Sequence, residues 1–188
     1  MEDEDVDSLT IYTVGHSDRT LDDFLPLLMT CDIKTLIDVR SYPYSTRFPH
    51  FSQEALREAV NVRQIEYHWA GRQLGGKRQP NNPESHPALT TDSLRGFAEY
   101  MQTDQFEQAI TQLVNLADGA KTAILCAEKL QSHCHRALIS DYLLIKNLNV
   151  IHIIDSNTRE EHQLSSSARM ESTRLVYDRN VTSSLKFQ

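Results

Sequence analysis

The sequence predicts an α/β domain, Rossmann-like and three-layered, around a mainly parallel sheet of about five strands. Two observations carry this. Short β-branched and aromatic runs alternate with longer stretches of helical periodicity along the chain. The length of 188 residues, with 39% hydrophobic and 24% charged residues, suits one soluble domain with a real core.

Residues 1–8, "MEDEDVDS", are expected to form a disordered acidic tail. "LTIYTVG" reads as a buried strand ending at Gly15. Thr20 and Asp23 form an acidic version of a capping box. Leu21, Phe24, Leu25 and Leu28 then recur at helical spacing, with Pro26 as an uncomfortable interior residue. "KTLIDVR" is the second strand and "SYPYSTRFPH" a loop. Ser52 caps "QEALREAVNV". "IEYHW" is the third strand, and a Gly-, Pro- and Asn-rich segment from Ala70 is a long loop of the kind used for lids and binding. Residues 91–118 form one broken or two consecutive helices, with Gly96 and "TDQ" as weak points. "KTAILCAE" is the fourth strand, "HCHRALISDYLLIKN" a helix, and "NVIHII" the fifth strand. The domain is drawn at 9–155, and 156–188 as a polar extension in which "TRLVY" offers one further strand.

Net charge is −7, which argues against a broad phosphate-neutralising face. No apolar run approaches the ~20 residues of a membrane span, and the acidic start lacks the pattern of a secretory leader. Three unevenly spaced cysteines do not suggest a disulfide framework, so a reducing cytoplasm is the expected setting.

Ligands of open parallel sheets bind beyond the strand C-termini. Strand one delivers His16 and Ser17 there. Strand two delivers Asp38, Arg40 and Ser41, with Arg47 nearby. Strand three delivers His68 and Arg72, and strand four delivers Cys126 and Glu128. "HCHR" begins a helix at the same edge. The convergence points to a pocket for a small anionic ligand, phosphate- or nucleotide-like. Arg40, Arg136, Asp38, Glu128, Ser17 and Ser41 are the candidate binding residues, and Cys126, His16 and His135 the candidate catalytic ones.

Each assignment has a plain alternative. Cys126 is either a nucleophile activated by cations and a helix start or a small buried hydrophobe. His16 and Ser17 act on a ligand, or cap a helix and satisfy backbone groups. Arg136 holds an anion at a helix N-terminus, so that Arg136→Ala abolishes binding and spares the fold, or it is structural glue to Asp38 or Glu128. Asp38 orients Arg40 or a histidine. Cys126, Cys134 and His133, joined by Glu128 and His135, form a weaker candidate Zn²⁺ or Fe site. No C-x₂-C pair supports it, and adjacent Cys134 and His135 would point about 100° apart on a helix. No cofactor can be named. The patterns G-x-x-x-x-G-K-[ST] and G-x-G-x-x-G are both missing, which argues against a P-loop and against ordinary dinucleotide binding. A nucleic-acid-associated repair or processing factor is the competing function, with Tyr42, Tyr44, Phe48 and Trp69 as stacking surfaces. A metal-binding or redox module is the third.

"YTVGHSDRTLDDFL", "LIDVRSYPYSTRFPHF", "LGG" and "LCAEKLQSHCHRALISDYL", in that order over residues 10–154, resemble the domain-of-unknown-function 488 family (DUF488). Gly15, His16, Ser17, Asp38, Arg40, Cys126, Glu128, Cys134, His135 and Arg136 match its marked positions. The resemblance implies a compact Rossmann-like fold and a shared pocket, and no particular reaction. Gln73 stands where the family often has an acidic residue before "LGG", which weakens any carboxylate role there.

Overall fold

The computed structural model describes residues 8–181. Its main sheet has six strands in the order β3-β2-β4-β1-β5-β6. These are β1 (Thr10–Gly15), β2 (Thr35–Asp38), β3 (Glu66–Trp69), β4 (Thr122–Cys126), β5 (Asn149–Ile153) and β6 (Arg159–Glu161). The first five pair in parallel, and β6 runs antiparallel along the β5 edge. All residues of β2 and β4 are buried, as expected for parallel strands covered on both faces.

The alternation of side chains divides the core in two. Leu36, Ala123, Leu125 and Ile153 face α1 (Leu21–Thr30) and α2 (Gln53–Asn61), where Phe24, Leu28, Leu56 and Val60 are buried. Ile11, Ile37, Ile124 and Val150 face the opposite side. There they meet the short α3 (Gly71–Leu74), α4 (Asp92–Tyr100), α5 (Asp104–Gly119) and α6 (Arg136–Ile145). The chain leaves β1 and β2 toward the first face and leaves β4 toward the second. β4 therefore lies between two strands whose exits oppose its own, and a crevice opens on each side of its C-terminal end.

Local chemistry explains the helix ends. Thr20 Oγ1 accepts from Asp23 N at 3.1 Å and donates to the Asp23 carboxylate at 2.8 Å. Pro26 lies on the exposed side of α1, which runs unbroken from Leu21 to Thr30. The break expected within 91–118 falls at Met101–Thr103, where Thr103 Oγ1 caps α5 by accepting from Phe106 N. Gly96 is no break. It lies buried in α4 because the backbone of Arg78 and Gln79 passes within 2.6–2.8 Å of where its Cβ would be.

The structure departs from the sequence reading in several places: a short helix, α3, opens the segment expected as a loop from Ala70, and two larger differences follow. The helix expected from His133 begins only at Arg136, since Gln131–His133 forms a 3₁₀ turn and Cys134 is extended. The C-terminal stretch set apart by its polarity packs into the same molecule. It supplies β6 and a hairpin of β7 (Ala168–Glu171) and β8 (Arg174–Tyr177), with Leu175 and Tyr177 in the second core. "TRLVY" is thus a strand, though in a separate two-stranded sheet. The acidic segment 1–8 lies outside the described residues except for Ser8. Among the described residues, no helix is long and apolar enough to cross a membrane.

Candidate functional site

The rim is built around a loop that crosses the end of β1. His16 N donates to Cys126 O at 3.0 Å and Ser17 N to Ala127 O at 2.8 Å, extending the β1–β4 ladder past both strands. The carbonyl of Glu128 then lies over Gly15, 1.8 Å from where a Cβ would be, so only glycine admits this crossing. The same carbonyl is held by Arg136 Nη2. The "GHS" glycine and the "CHR" arginine therefore meet at one peptide group, the first making room for it and the second holding it.

Arg40 is 6% exposed and Asp38 0%. Arg40 Nε and Nη2 donate to the Asp38 carboxylate, at 2.9 and 2.5 Å. Tyr67 donates its hydroxyl to the same carboxylate at 2.6 Å. Burial, then the Asp38 charge, pushes the Tyr67 phenol up, so it stays a donor. Arg40 Nη1 reaches Phe51 O at 2.8 Å and His16 Nε2 at 3.2 Å. His16 Nδ1 meets Ser17 O at 2.8 Å, and the ring stacks on Phe51 with centroids 4.3 Å apart. Both ring nitrogens are thus committed, Nδ1 as donor and Nε2 as acceptor. Burial, followed by the Arg40 guanidinium, lowers the His16 pKa to about 4, and the ring is neutral at pH 7. The acid–base role expected for His16 has no free nitrogen to work with. What the geometry provides is a neutral imidazole that holds Arg40.

Beyond β4, Cys126 Sγ, Cys134 Sγ and His135 Nδ1 lie within 4.8 Å of one another, all three residues buried. Cys134 is the more acidic thiol. The hydrogen bond from Cys126, with His135 and Arg136 nearby, holds Cys134 well below the usual thiol range, and the same contact with burial pushes Cys126 up. Arg136 N also approaches Cys134 Sγ at 3.5 Å from the first turn of α6. The contact that lowers the Cys134 thiol therefore works against the thiolate expected of Cys126. His133, expected beside the cysteines as a metal ligand, is exposed and outside the group; His135 takes its place.

Arg136 is 1% exposed. Its guanidinium donates to Glu128 O, to Lys129 O and to Thr13 Oγ1. These are the contacts of a framework clamp, where the sequence reading had it on a ligand. The glue is to the backbone of Glu128, and the Glu128 carboxylate is not involved. Beyond Thr13 runs a buried chain that the sequence reading missed. Thr13 Oγ1 meets His152 Nδ1 at 2.7 Å, His152 Nε2 meets His162 Nδ1 at 2.9 Å, and His162 Nε2 meets Asp141 Oδ1 at 3.0 Å. Tyr177 OH closes it on Asp141 at 3.0 Å. The one signal in the sequence was a histidine inside the apolar run "NVIHII".

The expected single pocket is divided. A crevice of about 510 Å³ is lined by Arg40, Ser41, Lys77, Cys126, Cys134 and His135, among others. A neighbouring one of about 500 Å³ holds His16, Ser17 and Arg47. Arg40, Tyr42, Ala127 and Glu128 line both and form the ridge between them. Ser17, at φ 52°, gives its hydroxyl to Asp18. Ser41 Oγ accepts from Lys77 N and so holds the "LGG" loop beside the first crevice. Trp69 Nε1 donates to Arg40 O, while Tyr42 and Tyr44 stand exposed.

The chain's residues 20–143 match the family described as domain of unknown function DUF488. No curated protein and no solved structure matches it. The matched stretch is shorter than the resemblance drawn over 10–154. It contains Asp38, Arg40, Cys126 and the Cys134–Arg136 run, and it begins beyond His16 and Ser17. Covering about two thirds of the sequence, including the ridge and the thiol group, this match makes the chain a member of the DUF488 family.

Proposed function

We propose that the chain binds a small anion of the phosphate or nucleotide class in the crevice beside Cys126, with the two thiols and His135 at the ligand's reacting end. We read the two-faced sheet as a Rossmann-like three-layer sandwich, a setting in which ligands lie at the points where strand exits reverse. The observation that carries the reading is Arg40. Its guanidinium is held by Asp38, Phe51 and His16, with the Tyr67 hydroxyl beside it, and the side chain so fixed lines the crevice as a preorganised cation. Lys77 adds a second positive charge. Thr90, Thr91 and Ser93, around the N-terminus of α4, add hydroxyls where the helix dipole favours negative charge. His16 orients Arg40 in this reading, and Arg136 positions the loop that carries Glu128. Three unpaired cysteines fit a reducing, cytoplasmic setting.

Calorimetric titration with orthophosphate and with a nucleoside monophosphate tests this. Saturable binding is expected for at least one of them, weakening as salt rises. Lys77→Gln should weaken it about five-fold, the equivalent of ~1 kcal/mol for an exposed charge. No saturation by either anion at millimolar concentration would remove the reading.

A second reading has its own support. Tyr42 and Tyr44 are 72% and 75% exposed, on a groove of about 700 Å³ shared with Arg72, Lys77 and Arg78. Exposed aromatic rings among cations suit stacking by single-stranded nucleic acid. Fluorescence anisotropy with a labelled short single strand should then show salt-sensitive binding. Tyr42→Ala and Tyr44→Ala should each cost ~1–3 kcal/mol, and wild-type affinity in both variants would set the stacking aside.

A further inference from the structure

We propose that Cys126, Cys134 and His135 form a binding site for a thiophilic divalent cation of the Zn²⁺ class, with three protein ligands and a fourth position toward the crevice. The argument is first one of distances. Cys134 Sγ lies 3.5 Å and Cys126 Sγ 4.0 Å from His135 Nδ1. A tetrahedral ion with Zn–S of ~2.3 Å and Zn–N of ~2.05 Å needs its sulfur and nitrogen ligands about 3.6 Å apart. Both nitrogen–sulfur edges therefore lie within about half an ångström of the tetrahedral value, and all three ligand atoms lie within 4.8 Å of one another before any ion is added.

The backbone removes the objection that neighbouring residues diverge. Cys134 is extended, at φ −136° and ψ 148°, and His135 turns to φ −57° and ψ −13° before α6 begins. The two side chains converge because the chain bends between them, which a regular helix would not allow. Gly76 holds the imidazole in place: a Cβ there would stand 2.5 Å from His135 Nδ1, so the "LGG" loop packs directly on the ring. Phe97 meets the ring's other surroundings edge-on, at 5.0 Å between centroids. The amide of Arg136 points at Cys134 Sγ, the outer hydrogen bond that steadies a metal-bound thiolate.

Charge and ligand type agree. Two thiolates neutralise a divalent cation, and buried charges persist only when paired or coordinated. Two sulfurs and one imidazole select a borderline-soft ion over Mg²⁺ or Ca²⁺. Among the described residues, no fourth His, Cys, Asp or Glu joins the group. Glu128 and His133 line the same crevice without belonging to it. Three ligands with an open position is the pattern of reactive rather than structural zinc. The open position adjoins the proposed anion crevice, but the inference rests on the three ligand atoms alone.

The test uses the full chain, stripped of metal under reducing conditions and titrated with Co²⁺, then with Zn²⁺. The expected result is one equivalent of Co²⁺, with sulfur-to-cobalt charge-transfer absorption and tetrahedral d–d bands that Zn²⁺ bleaches. Cys134→Ser should lose the charge-transfer band or much of it, and Cys31→Ser should retain it. Gly76→Ala, which changes no ligand, should weaken Co²⁺ binding about 10–100-fold by displacing the ring. A folded wild-type chain that shows no thiolate–cobalt band, or binds less than about a tenth of an equivalent, overturns the site. So does a Cys134→Ser spectrum equal to wild type. Orthophosphate titration of the same metal-free protein separates the two proposals. Phosphate binding without the cobalt signal leaves only the anion crevice, and the reverse leaves only the metal site.

Discussion

Arg136→Ala is expected to lower the stability of the fold by about 4 kcal/mol, read as a shift of the urea midpoint with little change in slope. The substitution removes a guanidinium that is 1% exposed and leaves three groups without their donor: Glu128 O, Lys129 O and Thr13 Oγ1. Each lost hydrogen bond to a charged donor is worth ~1.5–3 kcal/mol, and the vacated space adds a cavity term. Relaxation of the loop offsets part of that sum. Lysine is a poor substitute, because one ammonium cannot reach two carbonyls on one side and a hydroxyl on the other. Arg136→Lys should therefore recover less than half of the loss. An Arg136→Ala protein with a wild-type midpoint and no orthophosphate binding would return the arginine to the ligand.

Arg136 also shows where the sequence stops being informative. An arginine at a helix start, beside two strand ends rich in polar residues, has the composition of an anion site and of a buried clamp alike. Only the path of residues 127–129 over Gly15 decides between them, and that path depends on the 1.8 Å approach of Glu128 O to a missing Cβ. The Asp38–Arg40 pair was easier to read. Two residues apart on one strand end, the side chains share a face, and the structure has them bonded through Nε and Nη2. The parallel strands were legible because their apolar runs are short, β-branched and separated by strongly periodic helices. Of the hairpin at 168–177, the β8 strand was legible in "TRLVY", while β7 was hidden by its polar composition, since only Ala168 of β7 reaches the core. Cys134 and His135 were misjudged for a different reason. Periodicity extended the helix back to His133, and a helix separates neighbours, whereas the chain there is a 3₁₀ turn followed by one extended residue.

Acid should unfold this protein from the histidines first. Below its unfolded pKa of 6.5, His16 would be protonated in the unfolded chain, yet in the folded chain it remains neutral down to about 4. Burial, Arg40 and the nearby His50 oppose its charge, and the Asp38 carboxylate only partly offsets them. His152 is neutral down to about 3, through burial, His162 and Arg136. Asp141 lies one residue further along, on His162, and Tyr177 beyond it. In this window the unfolded state binds more protons, so stability rises with pH and is lost as pH falls from 6.5 toward 4. Each such histidine contributes a slope of about 1.4 kcal/mol per pH unit, and His16 alone integrates to about 3 kcal/mol. Urea unfolding between about pH 6 and pH 4.5 should therefore show a slope near 2–3 kcal/mol per unit. His16→Gln keeps an acceptor for Arg40 but cannot titrate, so it should remove roughly half of that slope while lowering stability at pH 7 only slightly. An unchanged slope in His16→Gln would mean that His16 is charged in the native state. Its Nε2 could not then accept from Arg40, and the hydrogen-bonded chain from Asp38 through Arg40 to His16 would be broken at that atom.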